Sequence, residues 1–233
     1  MFTKPKQCKT YKLHYGEYLY KLVLSNSLNV FFRSELQKKE KLSYARENLD
    51  KLTESYRNNE PLTRKVFRAE QTIPLDDYFD ALDLYKILKN NNDYKIRIHP
   101  YQNITIYSNN KTMLSNIIQK MRISNREFWE PDENSINLLK EKTNIEIVNK
   151  KPVFPIKIYF NSKRVPRDFS NWINANTDKC RIGGIALESL ESFEYLNNYY
   201  MYVRDEKVLD MISLLIGHAI RRVDKLVYNE DKY

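Results

Sequence analysis

The stretch NITIYSNNKTMLSNIIQK, Asn103–Lys120, decides the fold, because its pattern returns at Tyr199–Ile216 as YYMYVRDEKVLDMISLLI. Each copy opens on alternating residues, the period of a strand with one buried face. Each continues through a polar turn with one lysine into an amphipathic helix, starting at Thr112 or Val208. Working outward, a strand precedes each copy: YLYKLVL at Tyr18–Leu24 and IKIYF at Ile156–Phe160. Helices are expected at Pro74–Leu88 and Asp168–Asn174, and strands at Tyr94–Ile98 and Lys179–Gly183. A short strand closes each half, NIEIV at Asn144–Val148 and DKLVY at Asp224–Tyr228. Both halves therefore read β, α, β, β, α, β. Lys150-Lys151-Pro152 breaks the pattern between them, so the expected domains are 1–150 and 151–233.

That order predicts an α+β protein of two tandem ferredoxin-like halves, in which two helices cover one face of each four-stranded sheet. A single larger α+β domain is the competing arrangement. The first half carries a helical insertion at about 34–90. Its first helix, Ser34–Tyr56, has Leu42, Ala45, Leu49, Leu52 and Tyr56 at steps of three and four, one apolar stripe. The other face holds Lys38, Lys39, Lys41, Arg46 and Lys51, and Pro61 follows its end. In the second helix, Pro74 suits the first turn, and Asp76 and Asp77 complement the helix dipole.

Composition places limits on function. The chain has 233 residues, 30% charged and 42% hydrophobic, the balance of a folded protein rather than a disordered one. No run approaches the roughly 18 apolar residues of a membrane span, and Met1–Thr10 has no signal-peptide core. A cytoplasmic protein without a membrane partner is expected. The net charge is +9. Residues 1–69 carry 15 Lys/Arg against 7 Asp/Glu, and residues 70–233 carry 24 against 23, so the excess is N-terminal. Such a field attracts phosphate backbones or an acidic protein surface. Cys8 and Cys180 are too few and too far apart for a zinc site, and free thiols are expected. Abundant Asn, Lys, Ile and Tyr with scarce Gly point to an AT-rich genome, as in many phages and viruses, which would put the protein in a host cytoplasm or a virion.

Alternation assigns the strand faces. In the second half Ile156, Ile158, Phe160, Cys180, Ile182, Tyr199, Met201 and Val203 point inward, leaving Lys157, Tyr159, Arg181, Tyr200, Tyr202 and Arg204 on the open face. The first half offers Lys21, Lys95, Arg97, His99, Thr105 and Tyr107. Rings among cations suit single-stranded nucleic acid, with bases stacked on tyrosines and phosphates held by Arg and Lys. Here the second half resembles an RNA recognition motif, a family of ferredoxin-like fold with aromatics on its central strands. The family's Lys/Arg-Gly-aromatic signature is absent from Tyr199–Arg204. Tandem basic halves also resemble the RNA-processing endonucleases of CRISPR systems. Gly183, Gly184 and Gly217 do not form that family's glycine-rich loop, and none of its activity is carried over.

No catalytic constellation stands out. His14, His99 and His218 lack metal-ligand spacing, Tyr18 and Lys21 form a bare YxxK, and Asp76, Asp80 and Asp83 share a helix side as a solvated acidic face. No Walker loop, Rossmann pattern or GxSxG elbow occurs. The expectation is a non-enzymatic binder of single-stranded RNA or DNA, without cofactor or metal. It would use Tyr159, Tyr200, Tyr202, Arg204, Arg181, Lys157, Lys95, Arg97, Tyr107 and the helix lysines Lys38, Lys39 and Lys41. One alternative is an assembly protein of a virion or multi-subunit complex, whose same surfaces would be subunit contacts in a homo-oligomer. The other is a metal-independent ribonuclease using His14 or His99.

Overall fold

A computed structural model describes residues 5–33, 38–66, 69–99, 102–122, 126–142 and 144–228. The chain divides into two units: Met1–Thr10 with Glu17–Asp132, and Tyr11–Gly16 with Glu133–Tyr233. Among the described residues they hold two five-stranded sheets, a two-stranded hairpin and seven α-helices, a mixed α+β architecture. No described helix is long and apolar enough to cross a membrane.

The first unit runs β1 (Lys6–Thr10), β2 (Tyr20–Ser25), α1 (Lys38–Arg57), the hairpin β3 (Thr63–Val66) and β4 (Ala69–Thr72), α2 (Leu75–Lys89), β5 (Lys95–Ile98), β6 (Asn103–Ser108), α3 (Lys111–Lys120) and β7 (Glu127–Pro131). Its sheet order is β1-β7-β2-β6-β5, antiparallel except for β1, which lies parallel to β7. In β2, Tyr20, Leu22 and Leu24 are buried and alternate with half-buried Lys21, Val23 and Ser25. Leu22, Ile104 and Ile106 are wholly removed from water, each worth roughly 2 kcal/mol of transfer free energy. Asn110 caps α3 by accepting from Met113 N at 2.9 Å, satisfying an otherwise orphaned amide. The apolar stripe of α1 forms as expected, with Ala45, Leu49 and Leu52 buried. Tyr56 packs its ring 5.7 Å from that of Tyr78 on α2.

The second unit runs α4 (Glu133–Glu141), β8 (Ile145–Val148), β9 (Ile156–Phe160), α5 (Asp168–Ala175), β10 (Cys180–Ile182), α6 (Gly184–Glu191), β11 (Tyr200–Val203), α7 (Glu206–Ile216) and β12 (Ile220–Tyr228). The sheet order is β10-β11-β9-β12-β8, with β8 parallel to β12 and the rest antiparallel. Ile156, Ile158, Phe160, Cys180, Met201 and Val203 form one core with Phe169, Ile173, Val208, Ile212 and Ile216. The segment before β2 also belongs here: Ile147 N donates to Tyr11 O at 2.7 Å, and Lys12 forms a β-bridge with Glu146. Gly16 turns the chain away at φ +71, a conformation that penalises a Cβ.

The two sheets share one plan. The strand before the first helix (β2, β9) lies between the strand after the second helix (β7, β12) and the third of the set (β6, β11), and an extra strand runs parallel at one edge. Three expectations are corrected. The first sheet closes on β7, not on 144–148: β8 pairs with β12, so α4 and β8 fall with the second unit rather than before a boundary at 150. Two glutamates and a proline in EFWEP mask β7's strand pattern. Finally, the repeat aligns one residue away from the side-by-side segments. Asn110 and Asp205 are the helix caps, each three residues after a tyrosine, Tyr107 and Tyr202. Met113 then matches Val208 and Ile117 matches Ile212, all four buried.

Candidate nucleic-acid interface

Lys157 occupies the centre of the second sheet's outer face. Strand register sets Lys157 opposite Tyr202, and Tyr159 opposite Tyr200. The Lys157 ammonium lies 4.5 Å from the Tyr200 ring centroid, 5.0 Å from Tyr159 and 5.6 Å from Tyr202, within cation–π range of all three. It donates to Glu146 Oε2 at 3.1 Å. The Tyr159 hydroxyl donates to the same oxygen at 3.1 Å and accepts from Lys12 Nζ at 3.2 Å. Burial opposes the charge on Lys157, but hydrogen bonding to Tyr159 and Glu146 outweighs it and holds the ammonium pKa above the ordinary lysine value. Burial likewise works against ionised Glu146, yet Lys157 and Lys12 keep its carboxyl below the usual range.

On β12 a register shift between Ile220 and Arg222 marks a bulge. A bulge re-aims side chains, and both Arg221 and Arg222 lie about 6 Å from the Tyr159 ring centroid. Arg222 also grips fully buried Asp224, with Nη2 to Oδ2 at 2.7 Å. Four cations (Lys12, Lys157, Arg221, Arg222) thus stand against two carboxylates (Glu146, Asp224) around three rings. That surplus attracts an anion, and the rings offer faces for planar groups.

The sequence-derived residues are placed as follows. Tyr200 is 43% exposed, and Tyr159 and Tyr202 are half-buried. Tyr200 lies 6.0 Å from Tyr159 and 5.4 Å from Tyr202, ring to ring, so the tyrosine set is one cluster. Arg181 is exposed beside Tyr202. Arg204 is exposed at the end of β11 and ion-paired to Asp205 and Asp178, at 3.1 and 3.5 Å. Lys157 is 7% exposed and committed to Glu146, so its position is that of a positioning group rather than an outward cation.

In the first unit, Lys21 faces Tyr107, Tyr107 faces Lys95, and Thr105 faces Arg97. Tyr107 is only 7% exposed, so its ring is not an open platform. The side chains of Lys38, Lys39 and Lys41 lie outside the described residues. Arg46 and Lys51, on the same helix, pair with Asp50 and Glu47. Asp80 is fully buried and accepts from the Arg122 backbone N–H and guanidinium, which corrects its reading as part of a solvated acidic face. No group of three acidic, His or Cys residues able to hold a metal occurs among the described residues. Burial and Glu17 push the Tyr18 hydroxyl up to about 12, opposite to an activated nucleophile.

Sequence reasoning missed Lys12, Glu146, Arg221 and Arg222. Lys12 lies in a linker, Glu146 on a strand assigned to the other half, and the arginines reach one ring through a bulge that no residue spacing announces. Comparison with protein-family models, with curated proteins and with solved structures finds no match.

Proposed function

We propose that the chain is built of two ferredoxin-like modules, each extended by one parallel edge strand, and binds single-stranded nucleic acid on the sheet of the second. The shared strand order supports the module reading. The observation that carries the binding reading is the cluster Tyr159, Tyr200 and Tyr202 on one sheet face, with Arg181, Arg204 and Arg221 at its margins. Rings stack bases at about 1–3 kcal/mol each, whatever the base, and arginines neutralise phosphates. In this reading Tyr200, the most exposed ring, meets the first base. Lys157 holds the tyrosines in place.

Fluorescence anisotropy with labelled oligo(dT) and oligo(U), titrated over salt, tests this. Three arginine contacts give a log–log slope of about −2, at about −0.7 per phosphate. Tyr200→Ala should weaken binding about 5- to 150-fold, the range of one lost stack. No binding at low salt, or binding indifferent to both Tyr200→Ala and Arg181→Ala, overturns the reading.

One observation favours a second reading, an assembly contact. Met211, Leu214 and Leu215 stand on the outer face of α7, 42%, 89% and 50% exposed. The matching positions of α3 are Asn116, Gln119 and Lys120. Sedimentation of the parent against Leu214→Lys separates the readings: a homo-oligomer that the substitution dissolves, with no nucleic-acid affinity, would establish assembly.

A further inference from the structure

The row across the second sheet has a counterpart in the first. Register places Lys157 beside Tyr202 and Tyr202 beside Arg181. It places Lys21 beside Tyr107 and Tyr107 beside Lys95, on the corresponding strands. Lysine, tyrosine and a second basic residue thus recur at the same three places. In both rows the lysine also covers an aromatic ring at almost the same distance, 4.5 Å for Lys157 on Tyr200 and 4.4 Å for Lys21 on Trp129. Trp129 lies on β7 directly opposite Lys21. Its indole N–H donates to Glu127 Oε2 at 3.1 Å, which fixes the ring's orientation.

The rows differ in charge compensation. Lys157 is buried against Glu146, whereas no carboxylate lies within ion-pair distance of Lys21 among the described residues. Lys21 is only half-buried. His99 in the same unit reports the local field: burial first, then the charges of Arg97 and Lys21, push its pKa below the ordinary histidine value. An uncompensated ammonium resting on an indole can move to a phosphate without breaking an ion pair, and the indole face it leaves accepts a base.

We infer that the first unit carries a second single-stranded nucleic-acid site, in which Trp129 stacks a base and Lys21, with Lys95 and Arg97, holds the flanking phosphates. This rests on the binding function proposed above and adds a platform, a stoichiometry and a stacking residue to it. The chain would take two short oligonucleotides, one per sheet.

The chain's two tryptophans make the site directly readable. Trp172 packs on Phe169 in the second unit, with ring centroids 5.7 Å apart, and Trp172→Phe leaves Trp129 as the sole indole. In that protein, oligo(dT) five nucleotides long should quench the emission, and calorimetry should give two equivalents per chain. Tyr200→Ala should weaken one equivalent and leave the quenching. Lys21→Gln, which leaves the indole in place, should weaken the quenching step about tenfold and flatten its salt dependence. One equivalent, sensitive to Tyr200→Ala, with Trp129 emission unchanged, overturns this inference and leaves the second-sheet platform standing. No binding of any oligonucleotide overturns both.

Discussion

Replacing Lys157 by Met separates a lysine that positions rings from one that grips phosphate. Met keeps the apolar stem and removes the ammonium, so packing changes little. Breaking a fully buried ion pair costs about 3–5 kcal/mol. Here the Glu146 side chain is 23% exposed and keeps Lys12 and the Tyr159 hydroxyl as partners. We therefore expect a loss of about 2 kcal/mol, below that range once solvent screening is allowed for. The pH dependence follows from the two shifts. Glu146 titrates below its ordinary 4.5 in the folded state, so its contribution is present above that value and fades as pH falls through the lower folded pKa. Lys157 titrates above its ordinary 10.5, so its contribution is complete below that value and fades as pH rises through the folded pKa. The cost of Lys157→Met should thus be flat across neutral pH and shrink at both extremes. Urea unfolding followed by Trp172 emission in a Trp129→Phe background reads the second unit alone. Lys157→Met combined with Glu146→Leu should recover most of the loss, because the pair leaves together. In the oligonucleotide salt titration, Lys157→Met should leave the slope unchanged, whereas Arg181→Ala should reduce it by about 0.7. A variant as stable as the parent, or one whose slope falls as far as that of Arg181→Ala, would refute the positioning role.

Three further outcomes follow from local geometry. Asp205→Ala and Asn110→Ala each remove a helix cap and should cost about 1 kcal/mol, seen in Trp172 emission for the first and Trp129 emission for the second. Gly16→Ala forces a Cβ into a left-handed conformation with Asn144 Oδ1 3.7 Å from it; about 1–2 kcal/mol should be lost, and urea unfolding with no change in midpoint would contradict it. Burial, then Asp178, pushes the Cys180 thiol up to about 11, so at pH 8 a thiol reagent should label half-buried Cys8 and reach Cys180 only on unfolding; two equally fast thiols would contradict the core placement.

Most elements were legible because their alternation or their caps are local. Ile156, Ile158 and Phe160 against Lys157 and Tyr159 assign a face from residue type alone, and the structure keeps it. What failed was non-local. β1 (KQCKT) has no apolar alternation because it is an exposed edge strand, and its pairing with β7 is set by partner geometry. β8 has a readable pattern, but nothing in NIEIV states whether it pairs with β6 or β12. The apolar content of α7 overstates its burial, since Met211, Leu214 and Leu215 face outward. At the site, the rings were readable and the charge balance was not. Spacing placed Lys157 outward, and only the strand pairing brings Glu146 to its ammonium and Lys12, distant in sequence, to Glu146.

That charge balance decides how the two sheets would differ in use. Fully buried Asp224 and the Lys157–Glu146 pair carry a desolvation cost, because burying ionised groups is unfavourable unless each is matched. In the second sheet they are matched, and the consequence is mechanical. Three tyrosines are held around one ammonium, so their rings are oriented before any ligand arrives, and little ordering entropy remains to be lost on binding. In the first sheet the corresponding lysine rests on an indole, with no carboxylate within ion-pair distance among the described residues, and the ring is covered until the lysine moves. In the proposed reading the same backbone plan thus gives a preorganised ring platform in one unit and an adjustable one in the other. The second sheet should keep its salt slope when Lys157 is replaced by Met, whereas the first should lose part of its slope when Lys21 is replaced by Gln.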